Sequence, residues 1–139
     1  MDSAFCVAAH ALVYLNHKAC MLSSEELAEN ICTNPARVRK VMACLKRSGL
    51  VETKQGNVGG YLFTADPAKV TLAQVAEAVQ ARFVEAGWHS GDSDMECLVA
   101  SGMARLMDGI FAELNMTCME RLQHIAISDL DRSIFQQKL

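Results

Sequence analysis

Three basic side chains, Arg37, Arg39 and Lys40, crowd into the stretch PARVRKVMACLKR, and Lys46 and Arg47 follow near its end. Cations gathered on one helix face bind anions rather than catalyse, and an arginine can also give two parallel hydrogen bonds to a guanine edge. Lysine mostly holds phosphate. The plain alternative is a solvated charged face, which charge alone would favour. Six cysteines, Cys6, Cys20, Cys32, Cys44, Cys97 and Cys118, form a second reactive set. Their spacing contains no CxxC pair and no tight Cys/His cluster of the zinc type. The carboxylates Glu25, Glu26 and Glu29 decorate one early helix turn without accompanying pocket residues. No nucleophile motif, phosphate loop or metal pair is present. GNVGG at 56–60 joins two strand-like runs and opens no helix, so it reads as a turn. The residue types therefore point to binding, and an enzyme is not expected.

The elements that must position the basic residues lie between Ser23 and Phe63. Ser23 with Glu26 is a capping box for a helix carrying Leu27 and Ile31. Asn34 is a good N-cap with Pro35 at the first helical position, where a missing N–H costs nothing. Val38, Met42 and Leu45 form the buried stripe of this second helix, and Gly49 can stop it in a left-handed conformation. Leu50–Lys54 and Gly60–Phe63 then read as the strands of a hairpin with a glycine and asparagine tip. Helix, joint, basic helix and hairpin are the order of a winged helix-turn-helix. In such a fold the start of the second helix meets base edges and a narrow wing tip can enter a minor groove. The candidate DNA-contacting set is Ser24, Asn34, Ala36, Arg37, Arg39 and Lys40 from the helices, with Lys54, Gln55, Asn57 and Val58 from the wing.

The chain of 139 residues is 51% hydrophobic, enough for one compact domain plus an extension. Its net charge is −3, yet from Pro35 to Lys54 six basic residues face Glu52 alone. That segment is +5 and the remainder −8, which concentrates attraction for phosphate on one surface. No run of about 18 apolar residues and no basic leader is seen, so neither a membrane span nor a signal peptide is expected. The expected location is the cytoplasm.

Phe5, Ala9, Leu12 and Val13 recur at helical spacing in a first helix from Ser3 to Lys18, with His10, Tyr14 and His17 at its surface. Residues 18–22 can add a short first strand to the wing sheet. After a turn containing Pro67, Thr71 and Gln74 cap a helix whose apolar side is Leu72, Val75, Ala76 and Val79. Residues 82–94 lose periodicity and read as a connector in which Trp88 is expected to pack as an anchor. From Met95 a long helix carries Val99, Met103, Leu106 and Ile110, then Leu114, Cys118, Leu122 and Ile125. So long an apolar face in so small a protein is most simply covered by a two-fold partner, which also presents two recognition helices to DNA. Ser128–Leu139 closes the chain, with Leu130, Ile134 and Phe135 expected to turn inward. The reading is a mainly α (α+β) chain: a winged helix-turn-helix domain over 1–81, a connector over 82–94, and a dimerisation helix with a closing helix over 95–139.

Helix 34–49, GLV at 49–51, GNVGGY at 56–61 and the pattern Thr71, Leu72, Val75, Ala78 resemble the Rrf-two family of bacterial winged-helix regulators over nearly the whole chain. The resemblance implies a homodimer that binds double-stranded operator DNA and acts as a repressor. Family wings often carry an arginine just before the first glycine, where this chain has Gln55 with Lys54 beside it. Several members hold an iron–sulfur cluster on three cysteines before the long helix; this chain has Cys97 there, with His89, Asp92, Asp94 and Glu96 nearby. A cluster needs mainly thiolate ligands, so no cofactor and no metal are expected. An oxidant or small-molecule effector remains open. Cys97 lies in the first turns of the long helix, where N–H groups and the helix dipole favour a thiolate although Asp94 and Glu96 oppose it. Cys32 lies in the joint before the recognition helix, and the two could pair across a dimer. The plain alternative, a small inert hydrophobe, is preferred for Cys6, Cys44 and Cys118, while Cys20 stays undecided. The other functional class is a protein-interaction module that keeps the fold without specific DNA binding, hinted at by Gln55 and the acidic remainder.

Overall fold

The computed structural model describes residues 3–56 and 59–136. Its elements are α1 Ser3–Lys18, α2 Ser24–Ile31, α3 Pro35–Arg47, β1 Glu52–Lys54, β2 Gly60–Leu62, α4 Leu72–Ala78, α5 Leu98–Leu122 and α6 Ile127–Gln136. Each expected boundary has its local cause. Ser23 Oγ accepts from the Glu26 N–H at 3.1 Å, and Glu26 Oε1 accepts from the Ser23 N–H at 3.3 Å. Thr71 and Gln74 repeat that exchange at 3.2 and 2.9 Å. Asn34 Oδ1 takes the Arg37 N–H at 2.8 Å. At the far end of α3, Gly49 has φ +75°, its N–H donates to Lys46 and the Leu50 N–H donates to Leu45. This pair of bonds is the Schellman closure that a left-handed glycine makes possible.

Leu12, Leu15, Leu27, Val38, Met42, Leu45, Val75 and Ile127 are fully buried and join α1 to α4 and the start of α6 in one core. The wing is the antiparallel pair β1–β2, with Glu52 opposite Leu62, Thr53 opposite Tyr61 and Lys54 opposite Gly60. The first strand expected near 18–22 is reduced to a bridge between Leu22 and Tyr61, whose N–H groups donate to each other's carbonyls at 3.0 and 2.8 Å. A Cβ on Gly60 would stand 2.5 Å from the Leu22 carbonyl oxygen, and one on Gly59 would stand 2.4 Å from that of Lys54. The double glycine of the wing is thus required by close backbone approach on both sides.

The connector from 81 to 97 contains no helix or strand. Trp88 is not the anchor expected of it: its side chain is 79% exposed. Phe83 takes that role instead, edge-on to Phe5 with ring centroids 5.1 Å apart. Asn115, in the C-terminal half of α5, fixes the same segment. Its Oδ1 accepts from the Phe83 and Val84 N–H groups at 2.9 and 2.8 Å, and its Nδ2 donates to the Val84 carbonyl at 2.6 Å. With the backbone clamped at residue 84, Trp88 is carried out along α5 and away from the core. Asn115→Ala removes three partly buried hydrogen bonds and is expected to cost about 2 kcal/mol. Amide exchange at Phe83 and Val84 should accelerate far more than in α1, and unchanged protection there would refute the clamp.

Three further expectations are corrected. The long helix begins at Leu98 rather than Met95, because Asp92 folds the preceding residues into turns: its carbonyl takes the Met95 N–H at 3.1 Å and its Oδ1 the Asp94 N–H at 2.9 Å. Ile134 and Phe135 do not turn inward. Only the first turn of α6 reaches the core, through Ile127, while Phe135 lies over α1 and stacks on His17 at 4.2 Å. Cys6 is also no core filler, since it falls on the side of α1 away from Val7, Ala8, Ala11 and Leu15 and is exposed.

Candidate nucleic-acid interface

The joint between α2 and α3 sets the angle of the basic helix. Cys32 ends α2 in a left-handed conformation, φ +64°, and its N–H together with that of Thr33 closes on the Ala28 carbonyl. The chain then restarts at Asn34, and Val38, Val41, Met42 and Leu45 face the core. What remains outward is Ala36, Arg39, Lys40, Lys46 and Arg47, all exposed, with Arg37 half-buried beside its cap.

Between this helix and the wing lies a cleft of about 380 Å³, whose lining includes Arg39 and Lys46 from α3, Ser24 and Glu25 from α2, and Lys54 and Gln55 from the wing. Tyr61 stands in its wall; burial pushes the phenol above its usual range, and neighbouring Arg39 only partly opposes this. Arg39 is held from α2: its Nη1 donates to Ser24 Oγ at 3.2 Å and lies 3.5 Å from Glu25 Oε1. The Ser24 hydroxyl in turn donates to Glu25 Oε2 at 3.1 Å. The Glu25 carboxyl sits below the usual range, first because its own backbone N–H donates to it, then through Ser24 and, less, Arg39. The fold brings together Ser24, Arg39, Lys54 and Gln55 of the named set, with Ala36, Arg37 and Lys40 toward the start of α3. Asn34 is occupied as the cap. Asn57 and Val58 lie outside the described residues. By sequence Glu25 is mere helix decoration; its partner Arg39 belongs to the next helix, and only the crossing of α2 and α3 reveals it.

Residues 1–132 match the family model Rrf2, described as iron-dependent transcriptional regulator. The chain belongs to the Rrf2 (Rrf-two) family. Rrf2 proteins are transcriptional regulators that bind DNA and are not enzymes. A curated relative, YwnA of Bacillus subtilis (strain 168), provisionally named an HTH-type transcriptional regulator, is 26% identical over 137 residues, 97% of this chain and 99% of YwnA. Among solved structures, one from Lactobacillus plantarum, provisionally named a transcriptional regulator, aligns with a TM-score of 0.80 at 19% identity, covering 99% of this chain and 97% of that one. CymR of B. subtilis, the global cysteine regulator, aligns with a TM-score of 0.65 at 16% identity over 96% of each chain. At these identities the structural likeness speaks for the winged-helix fold. No helix among the described residues is long and apolar enough to cross a membrane.

The iron dependence in the family's description is not matched by a ligand set among the described residues. Cys97 has no second cysteine near it in sequence, and the described residues contain no group of three His, Cys, Asp or Glu side chains able to hold a metal ion. The connector's histidine is tied to the long helix: His89 Nε2 is 2.9 Å from Asp108 on α5. Cys97 is instead the exposed N-cap residue of α5; its sulfur makes no capping hydrogen bond, but the nearby N–H groups of Ala100 and then Val99 draw its thiol below the ordinary cysteine range. A lowered thiol pKa means a larger thiolate fraction at neutral pH. Alkylation of Cys97 by iodoacetamide should therefore outpace that of exposed Cys6 and Cys20 at pH 7, with the advantage shrinking as pH rises past the ordinary thiol range. Equal rates mapped by mass spectrometry would remove the N-cap effect.

Proposed function

We propose that this Rrf2 protein is a homodimeric repressor that binds a pseudo-palindromic operator in the cytoplasm. The observation that carries the reading is the shared cleft of α3 and the wing, which gathers Arg39, Lys46 and Lys54 at the basic edge of an otherwise acidic chain. Ala36, Arg37, Arg39 and Lys40 meet base edges, Ser24 and Asn34 lie at the helix starts, and Lys54, Gln55, Asn57 and Val58 follow the adjacent backbone and minor groove. The dimer forms through α5, which has no buried residue in the protomer. Val99, Met103, Leu106, Ile110 and Leu114 fall within about 80° of its circumference, and all are exposed. A face of this kind marks a protein interface.

The signal acts through the connector and the start of α5, as a thiol oxidant or a small effector. In the thiol form, Cys97 of one subunit and Cys32 of the other give up two electrons to a peroxide. The S–S bond forms as both thiol protons leave with the oxygens as water. Tying Cys32 to α5 of the partner would alter the separation of the recognition helices. Template-directed transcription tests direction: added reduced protein should lower the transcript from a promoter carrying the bound sequence, and a rise would mean activation. Non-reducing gels test the switch: peroxide should yield a cross-linked dimer that Cys97→Ser and Cys32→Ser both abolish. A wild type that stays uncross-linked excludes the disulfide and leaves the small effector.

A further inference from the structure

The contact between α2 and α3 gives one arginine a role different from its neighbours. Ser24 is the one buried polar side chain among the described residues, 8% exposed. Its hydroxyl accepts from Arg39 and donates its proton to Glu25. Arg39 is thereby held at one end of its guanidinium by a hydroxyl fixed in the helix start and by a carboxylate 3.5 Å away. An exposed arginine normally loses considerable rotamer entropy when it docks in a single geometry. Here part of that ordering precedes binding, and a planar, two-pronged donor benefits most from it. The carboxylate also sorts acceptors. A phosphate approaching Arg39 would meet the negative charge of Glu25, whereas the O6 and N7 of guanine carry no net charge. Lys40, Lys46 and Arg47 stand along the same helix without a carboxylate partner among the described residues.

We propose that Glu25, with Ser24, is a positioning residue that makes Arg39 a reader of one guanine in each half-site rather than a phosphate clamp. The inference rests on the operator-binding reading above and deepens it. Glu25 lies in the first turn of α2, on the exposed side, so Glu25→Gln keeps its length and leaves the Ser23–Glu26 capping box in place.

The test compares bound duplexes selected from a random pool by wild type, Glu25→Gln and Arg39→Ala, followed by affinity titrations across salt. Wild type should prefer a guanine at one position per half-site by roughly tenfold or more. Arg39→Ala should level that position, and Glu25→Gln should reduce its preference to within about threefold. Glu25→Gln should also bind all duplexes more tightly and with a steeper salt dependence, because a freed arginine turns to phosphate. A merely structural role for Glu25 would weaken every sequence alike. If Arg39→Ala relaxes one position while Glu25→Gln keeps it sharp, the positioning role is overturned. If Arg39→Ala weakens all sequences uniformly, Arg39 is a phosphate contact and the inference fails. A wild type that enriches no motif overturns the operator reading itself, and this one with it.

Discussion

Leu106→Glu is expected to convert the protein from dimer to monomer at micromolar concentration while leaving the protomer folded. Leu106 is 64% exposed in the protomer and stands in the middle of the stripe formed by Val99, Met103, Ile110 and Leu114. A glutamate there costs a free protomer little, since substitutions at exposed helix positions usually change stability by about 0.5 kcal/mol or less. In the dimer it would place two carboxylates in an apolar contact, each costing several kcal/mol to desolvate. The helix is about 37 Å long by its rise per residue, and its other side is committed to the connector through Asn115. Sedimentation should show the monomer, circular dichroism should keep its helical signal, and operator affinity should fall by a hundredfold or more, on the order of what loss of the second half-site implies. A Leu106→Glu protein that remains dimeric would move the interface off α5.

Arg37→Ala should produce a large loss of operator affinity. Arg37 occupies the third position after the Asn34 cap, and its own N–H is the one that the cap receives. Removing the side chain beyond Cβ leaves that backbone bond intact, so the helix start survives. A good bidentate contact to guanine is worth about 1–3 kcal/mol, and a homodimer loses two copies, giving about 2–6 kcal/mol in operator affinity. Non-specific binding should fall much less, and the salt slope should shrink by about one unit for each phosphate that Arg37 neutralises. Competition titrations with operator and scrambled duplex separate the two effects. Equal losses on both would assign Arg37 to phosphate.

Local rules make the sequence legible as far as hydrogen bonds reach along the chain. Ser23 with Glu26, Asn34 with Pro35, Thr71 with Gln74, and Gly49 all act within a few residues, and each acts as expected. The α5 stripe is legible for the same reason, as a periodic pattern that needs no partner to be seen. What escapes depends on contacts between distant segments. Whether Phe83 or Trp88 packs on Phe5 is decided by Asn115, more than twenty residues further on, and an asparagine inside a helix gives only a faint signal of that work. Ile134 and Phe135 have helical spacing, but α6 leaves the core after its first turn. In the candidate site, the basic face of α3 is readable from charge and caps. The Ser24–Glu25–Arg39 contact is not, because nothing in the local pattern of α2 says which residue of α3 crosses it.

Two copies of this chain, joined through α5, are proposed to read DNA sequence with α3 and the wing. Selection of bound duplexes from a random pool by the reduced wild-type protein tests this most directly. The expected result is one enriched motif with two-fold symmetry, its half-sites about 10 base pairs apart or a multiple of that, as dimeric helix-turn-helix proteins require. Recovery of no motif would contradict the claim and favour the protein-interaction reading, and a single unrepeated half-site would contradict the dimer.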